Sequence, residues 1–245
     1  MKAALMTLAL MGMIGAAYLY GVIGRTPTPP GAIITQSAGA AIPATRPAHI
    51  LILGTSLTSR GNWTATLETE LNRCRATGLR VETLAKPGAS VRWGITALRG
   101  RLRQGTLPDL IIAEFSGNDA SPWNGMPLFL SRSRHEQLVR QAEMAGIPMM
   151  LATMSPAFGQ NAWERPGQNR YHALYRDIAA RRDIGLIDTV ESWRALAPAE
   201  RRALMPDGLH PSRAGMAKIT VPAFAAALAP LLCDRKYARG PDPQP

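Results

Sequence analysis

Cysteine is scarce in this chain, with only Cys74 and Cys233 in 245 residues, too few for a disulfide-framework miniprotein or a cysteine-built zinc site. Histidine is almost as rare: His49, His135, His172 and His210 lie far apart and no HExxH occurs, so no metal centre is indicated. Lysine stands only at Lys2, Lys86, Lys218 and Lys236, although Lys and Arg together number 28 against 17 Asp and Glu, a formal charge of +11. The basic excess is therefore mostly arginine, and it is scattered rather than massed. A basic surface accounts for it, with a polyanion-binding site as the alternative. Aromatic residues make up 6%, and no RNP-like motif, zinc-finger spacing or basic heptad region appears, so nucleic acid is not an indicated partner. Hydrophobic residues reach 46% and charged ones only 18%, which allows a packed core in one large domain or two small ones.

One long uncharged run stands out. Ala3 to Ile23, flanked by Lys2 and Arg25, would span roughly 31 Å as a helix, enough to cross a bilayer. We expect residues 1–24 to form an uncleaved anchor; a signal peptide cleaved near Gly15-Ala16-Ala17 is the alternative. The α-amino group and Lys2 outweigh Arg25, which orients the rest of the chain outward. The expected location is thus the inner membrane, single-pass, with the folded domain in the periplasm or outside, or secreted if the segment is removed. Arg25 to Pro47 is rich in Pro, Ala, Gly and Thr and reads as an extended tether, while Asp234 to Pro245 reads as a frayed tail. Residues 48–233 remain as the folded domain.

Within those limits short apolar runs alternate with longer amphipathic ones. Strands are expected at His49–Leu53, Arg80–Leu84, Asp109–Phe115, Pro148–Met154 and Ile184–Val190. Helices are expected at about Trp63–Ala76, Val91–Arg103, Leu130–Ala145, Gln168–Arg182 and Ser212–Leu232, the last interrupted by Pro222. Mostly apolar strands separated by helices indicate βαβ units and a parallel sheet covered on both faces, a three-layer α/β sandwich. Ligands of such sheets bind outside the carboxyl ends of the strands.

Four loops at that edge carry chemistry. After the first strand comes Gly54-Thr55-Ser56-Leu57-Thr58-Ser59, with a serine that can project from the sheet edge or merely cap a helix. After the second comes Lys86-Pro87-Gly88-Ala89-Ser90, where Gly88 can bring its N–H to a ligand or serve a simple turn. After the third comes Ser116-Gly117-Asn118-Asp119, in which Asn118 offers an amide donor or shapes a turn. Well after the fifth comes Asp207-Gly208-Leu209-His210, a carboxylate three residues before an imidazole it can orient. Together these supply a nucleophile, a base, an orienting acid and three oxyanion donors, the set acyl transfer requires.

At these four blocks, in order and at family-like spacing, the chain resembles the SGNH hydrolases, also called GDSL esterases/lipases, over about Ala48 to Leu232. The resemblance implies Ser56 as nucleophile, His210 as general base and Asp207 as its orienting partner. It implies an oxyanion hole from the Ser56 and Gly88 N–H groups and the Asn118 side chain, and a flavodoxin-like sheet of order 2-1-3-4-5. Two positions depart from the family: Thr55 replaces the usual Asp before the serine, and Lys86 stands where Asn usually precedes the glycine. In the implied strand order the helices ending near Cys74 and Cys233 run side by side, so we expect a disulfide between them. Trp93, Trp123 and Trp163 follow three different strands and can stack on sugar rings or line an acyl pocket, packing being the alternative. The expected activity is an extracytoplasmic serine esterase acting on a short acyl group of a carbohydrate or polysaccharide. Alternatives are an O-acyltransferase modifying an exopolysaccharide beside a membrane-bound acyl donor protein, a lysophospholipase or thioesterase, and a non-catalytic polysaccharide-binding module. No cofactor is implied.

Overall fold

In the computed structural model residues 42–233 are described, with positions 6, 7, 10–12 and 15; the rest of the apolar segment, the tether up to residue 41 and the tail at 234–245 lie outside the described residues. Five strands, β1 (Ala48–Gly54), β2 (Leu79–Ala85), β3 (Leu110–Ala113), β4 (Met149–Ala152) and β5 (Gly185–Ile187), form one sheet in the order β2-β1-β3-β4-β5. Every neighbouring pair is parallel. The longer helices are α1 (Trp63–Asn72), α2 (Val91–Arg101), α3 (Leu128–Met144), α4 (Gln168–Arg182) and α5 (Arg213–Leu232). This is the three-layer α/β architecture and strand order anticipated above.

Strand alternation divides the core. On β1, Leu51 and Leu53 join a cluster with residues of α2, α3 and α4, including Ile95, Leu138, Leu174 and Ile178. Ile50 and Ile52 face the opposite side, where Trp63, Leu67 and Leu71 of α1 meet Phe224 and Leu228 of α5. A register slip of one residue would exchange these sets, and each buried Leu, Ile or Phe contributes about 1.5–3 kcal/mol. The register is therefore fixed by both layers at once.

Two helix ends differ from expectation for local reasons. α1 stops at Asn72 rather than near Ala76, because the Asn72 side chain accepts from the Leu79 N–H at 2.8 Å and donates to the Leu79 carbonyl at 3.1 Å. The chain then turns at Gly78, with φ +78°, into β2. α5 is not broken at Pro222: Met216–Thr220 forms a π-helical turn and Pro222 sits in the first turn of the α-helical segment that follows. There the Val221 N–H donates to the Met216 carbonyl five residues back, and this wider π-helical register carries the helix past the residue that lacks an N–H.

By length and composition α5 could cross a membrane, but it lies on the sheet with Val221, Phe224, Ala227, Leu228 and Leu232 buried. At its end Cys233 is disulfide-bonded to Cys74 just past α1, with the Cα atoms 5.0 Å apart. Arg75 beside the bridge is buried, and its guanidinium donates to the carbonyls of Leu232 at 2.8 Å, Gly78 at 3.1 Å and Arg46 at 2.8 Å. The Ile42 N–H donates to the Leu231 carbonyl at 2.9 Å, so the end of the expected tether is fastened to α5.

Candidate active site

The turn that carries Ser56 begins where β1 runs out. Thr55 stays extended (φ −109°) and caps the short helical turn Ser56–Ser59, its hydroxyl accepting from the Leu57 N–H at 3.2 Å. Ser56 is thereby the first residue of a helical turn, and its N–H has no hydrogen-bond partner among the described residues. Its side-chain oxygen lies 2.9 Å from Nε2 of His210. From α1, the buried Trp63 donates its indole N–H to the Leu57 carbonyl at 2.9 Å and steadies the turn from behind.

The loop before α5 brings the acid and the imidazole together. Oδ1 of Asp207 accepts from the N–H groups of Leu209 at 2.9 Å and His210 at 2.6 Å, while Oδ2 lies 2.7 Å from Nδ1 of His210. An ionised carboxylate only accepts, so this pairing places the proton on Nδ1 and leaves Nε2 as the basic lone pair facing Ser56. Partial burial pushes the Asp207 carboxyl up, but these donors outweigh it and hold the group below its ordinary value. Gly208 makes the loop possible: its φ is +73°, and a Cβ there would stand 2.5 Å from the Phe158 carbonyl oxygen. Asn161 adds a further tie, donating to the Asp207 carbonyl at 2.7 Å. A cleft of about 360 Å³ opens beside Asp207, walled by Phe158, Gln160, Arg201, Arg202 and Met205, with the Arg201 guanidinium 4.1 Å above the Phe158 ring.

The candidate oxyanion donors come from the next two strand ends. The Lys86 N–H donates to the Gly54 carbonyl at 3.0 Å, which sets the turn carrying Gly88 against the end of β1. Gly88 has φ +73°, and its N–H has no partner among the described residues. Asn118 donates one amide hydrogen to the Ala89 carbonyl at 3.0 Å, keeping a second available. Asp119, fully buried, accepts from the Val91 N–H at 3.0 Å and from the Ser131 hydroxyl at 2.6 Å, clamping the two loops together. Behind it His135 meets the Tyr175 hydroxyl at 2.8 Å, which in turn accepts from the Phe115 N–H at 2.8 Å. Burial pushes the Asp119 carboxyl up, the His135 imidazole down and the Tyr175 phenol up. All three shifts favour a neutral network.

The three indoles diverge. Trp123 and Trp163 are 80% and 87% exposed, so both faces are open to a ligand. Trp93 is part-buried against the core, with its ring edge-on to Phe115 at 6.4 Å, so packing occupies it. Sequence reasoning did not single out Glu114, at the end of β3, whose carboxyl accepts from Thr55 and Thr58. Its signal was available: a lone acid in the otherwise apolar run Leu110-Ile111-Ile112-Ala113-Glu114-Phe115. The Asp119–Ser131–His135–Tyr175 set gave no such signal, because its members join only through the packing of α3 and α4.

Known structures share this fold. TesA superposes with a TM-score of 0.61 at 21% identity, over 75% of this chain and 99% of that one. The lipase/acylhydrolase from Enterococcus faecalis gives 0.58 at 22% identity over 74% and 95%. A catalytic mutant of Axe2, an acetylxylan esterase from Geobacillus stearothermophilus, gives 0.59 at 19% identity over 76% and 94%. At these identities the likeness is one of fold. A search of curated proteins finds no match. Residues 34–218 match the GDSL-like lipase/acylhydrolase family, and with the four sequence blocks at one sheet edge the chain belongs to that family, the SGNH hydrolases.

Proposed function

We propose that the protein is an extracytoplasmic serine esterase that removes a short acyl group from a carbohydrate. The observation that carries the chemistry is the hydrogen-bonded series Ser56–His210–Asp207, with contacts of 2.9 and 2.7 Å. His210 Nε2 takes the Ser56 proton as the oxygen attacks the ester carbonyl. The resulting oxyanion is met by the Ser56 and Gly88 N–H groups and the second Asn118 amide hydrogen, donors that stabilise it more than the ground-state carbonyl. The intermediate collapses, the leaving alkoxide takes the proton from His210, and water repeats the sequence to free Ser56 and the acid.

Three features support the finer reading. The exposed Trp163 lies in the short helix Gln160–Trp163, whose Asn161 is bonded to the Asp207 carbonyl, so a flat apolar surface stands close to the catalytic loop. The Asp207 side chain is 52% exposed, an open site suited to a polymer and to water. The Cys74–Cys233 bridge fits an oxidising compartment. The test is turnover of p-nitrophenyl acetate and acetylated xylo-oligosaccharides by the purified full-length chain, with unacylated oligosaccharide present. Free acetate as the product supports the reading; transfer of acetyl to the added sugar would replace it with an acyltransferase, and no turnover of acylated sugars would remove the carbohydrate assignment.

A further inference from the structure

The residue before the nucleophile, where the family usually carries Asp, is Thr55, and both of its donors point at one carboxyl group. Oε1 of Glu114 accepts from the Thr55 N–H at 2.6 Å, the Thr55 hydroxyl at 3.0 Å and the Thr58 hydroxyl at 2.6 Å; Oε2 stands 3.1 Å from the Thr55 hydroxyl. Glu114 is 2% exposed and makes no ion pair with any described cation. It also fills the space above Gly54, where a Cβ would come within 2.4 Å of Oε1 and 2.1 Å of the Thr58 hydroxyl oxygen. The bonds therefore bracket Ser56, one residue before it and two after it.

We propose that Glu114 is a positioning residue for Ser56: from β3 its carboxyl holds the Gly54–Ser59 turn and so sets where the Ser56 hydroxyl and N–H stand. This rests on the reading of Ser56 as nucleophile. Both groups that Ser56 offers, the attacking oxygen and an oxyanion donor, hang on the peptide that follows Thr55. A rotation of that peptide misplaces both, and misplacement of about 1 Å is enough to cost on the order of a hundredfold in rate. A group that only filled the core would instead change stability and leave the turnover of folded protein intact. Burying a carboxyl group without a cation is costly, and the three donors it collects are what keep it in place.

Glu114→Gln and Glu114→Ala decide the matter. Glutamine keeps an acceptor oxygen and the volume, whereas alanine strands the Thr55 N–H and two hydroxyls. Expected for folded Glu114→Gln are an unchanged KM, a kcat lowered about tenfold, and slower labelling of Ser56 by a fluorophosphonate. In Glu114→Ala the loss should be larger, with glutamine a partial rescue. Hydrogen exchange of the peptide spanning residues 54–59, which needs no turnover, should quicken from wild type to Gln to Ala. Unchanged kcat, labelling and exchange in Glu114→Gln would overturn the proposal. If wild type itself is neither labelled nor active, the nucleophile reading fails instead, and exchange still reports whether Glu114 holds the turn.

Discussion

At the scale of single residues, the site sorts its carboxyl groups by environment. Asp207, partly exposed and given three donors, is held below the ordinary carboxylate value, and the stability it contributes is present above its unfolded pKa and lost only as pH falls through the lowered folded one. Glu114 goes the other way. Burial pushes it up to about 7, against the donors from Thr58 and Thr55 that favour the charged form. The folded state therefore holds a proton that the unfolded state releases between about pH 4.5 and 7, and Glu114 makes the protein less stable as pH rises across that window, on the order of 3 kcal/mol. Urea unfolding at pH 5 and pH 8 checks this: Glu114→Gln should narrow the difference between the two, and an unaltered difference would contradict the shift. The proposed catalytic set could be picked out in the sequence because Ser56, Gly88, Asn118, Asp207 and His210 each sit in a recognisable block. Glu114 stood out only as a lone acid in an apolar run, because its bonds to Thr55 and Thr58 depend on how the two strand ends line up, which strand order alone does not state.

At the scale of elements, the loops are more tightly specified than the helices that carry them. Gly208 combines a φ of +73° with a 2.5 Å approach of the Phe158 carbonyl to any Cβ, so Gly208→Ala must push Asp207 and His210 off their contacts. We expect that variant to fold, since the loop lies outside the sheet, while kcat falls at least tenfold; wild-type kcat would show that the loop tolerates the shift. The strands could be read to within a few residues because their apolar runs are bounded by turns, and β1 is the clearest case, with all seven residues buried. Helix ends were less legible. The stop at Asn72 depends on its side chain bonding to Leu79, and the continuity of α5 through Pro222 depends on a π-helical turn, a feature set by backbone hydrogen bonds rather than by composition.

At the scale of the whole molecule, the Cys74–Cys233 bridge joins residues 159 positions apart, a closure worth about 5 kcal/mol in the chain-entropy description. Replacing both cysteines by serine should lower Tm by about 10 °C or more, read by thermal unfolding with and without reductant; a Tm indifferent to both would show that α1 and α5 are held by Trp63–Phe224 and its neighbours alone. That pairing was legible from topology, since the strand order sets the two helix ends side by side. Substrate identity was not legible, because the exposed Trp123 and Trp163 surfaces fit several flat ligands. The measurement that bears most directly on the central claim is mass-spectrometric mapping of the covalent adduct formed when the full chain meets a fluorophosphonate, with Ser56→Ala and His210→Ala alongside. The expected result is one adduct on Ser56, absent in Ser56→Ala and formed at least a hundredfold more slowly in His210→Ala. An adduct elsewhere, or labelling of Ser56 at the same rate without His210, would contradict the account.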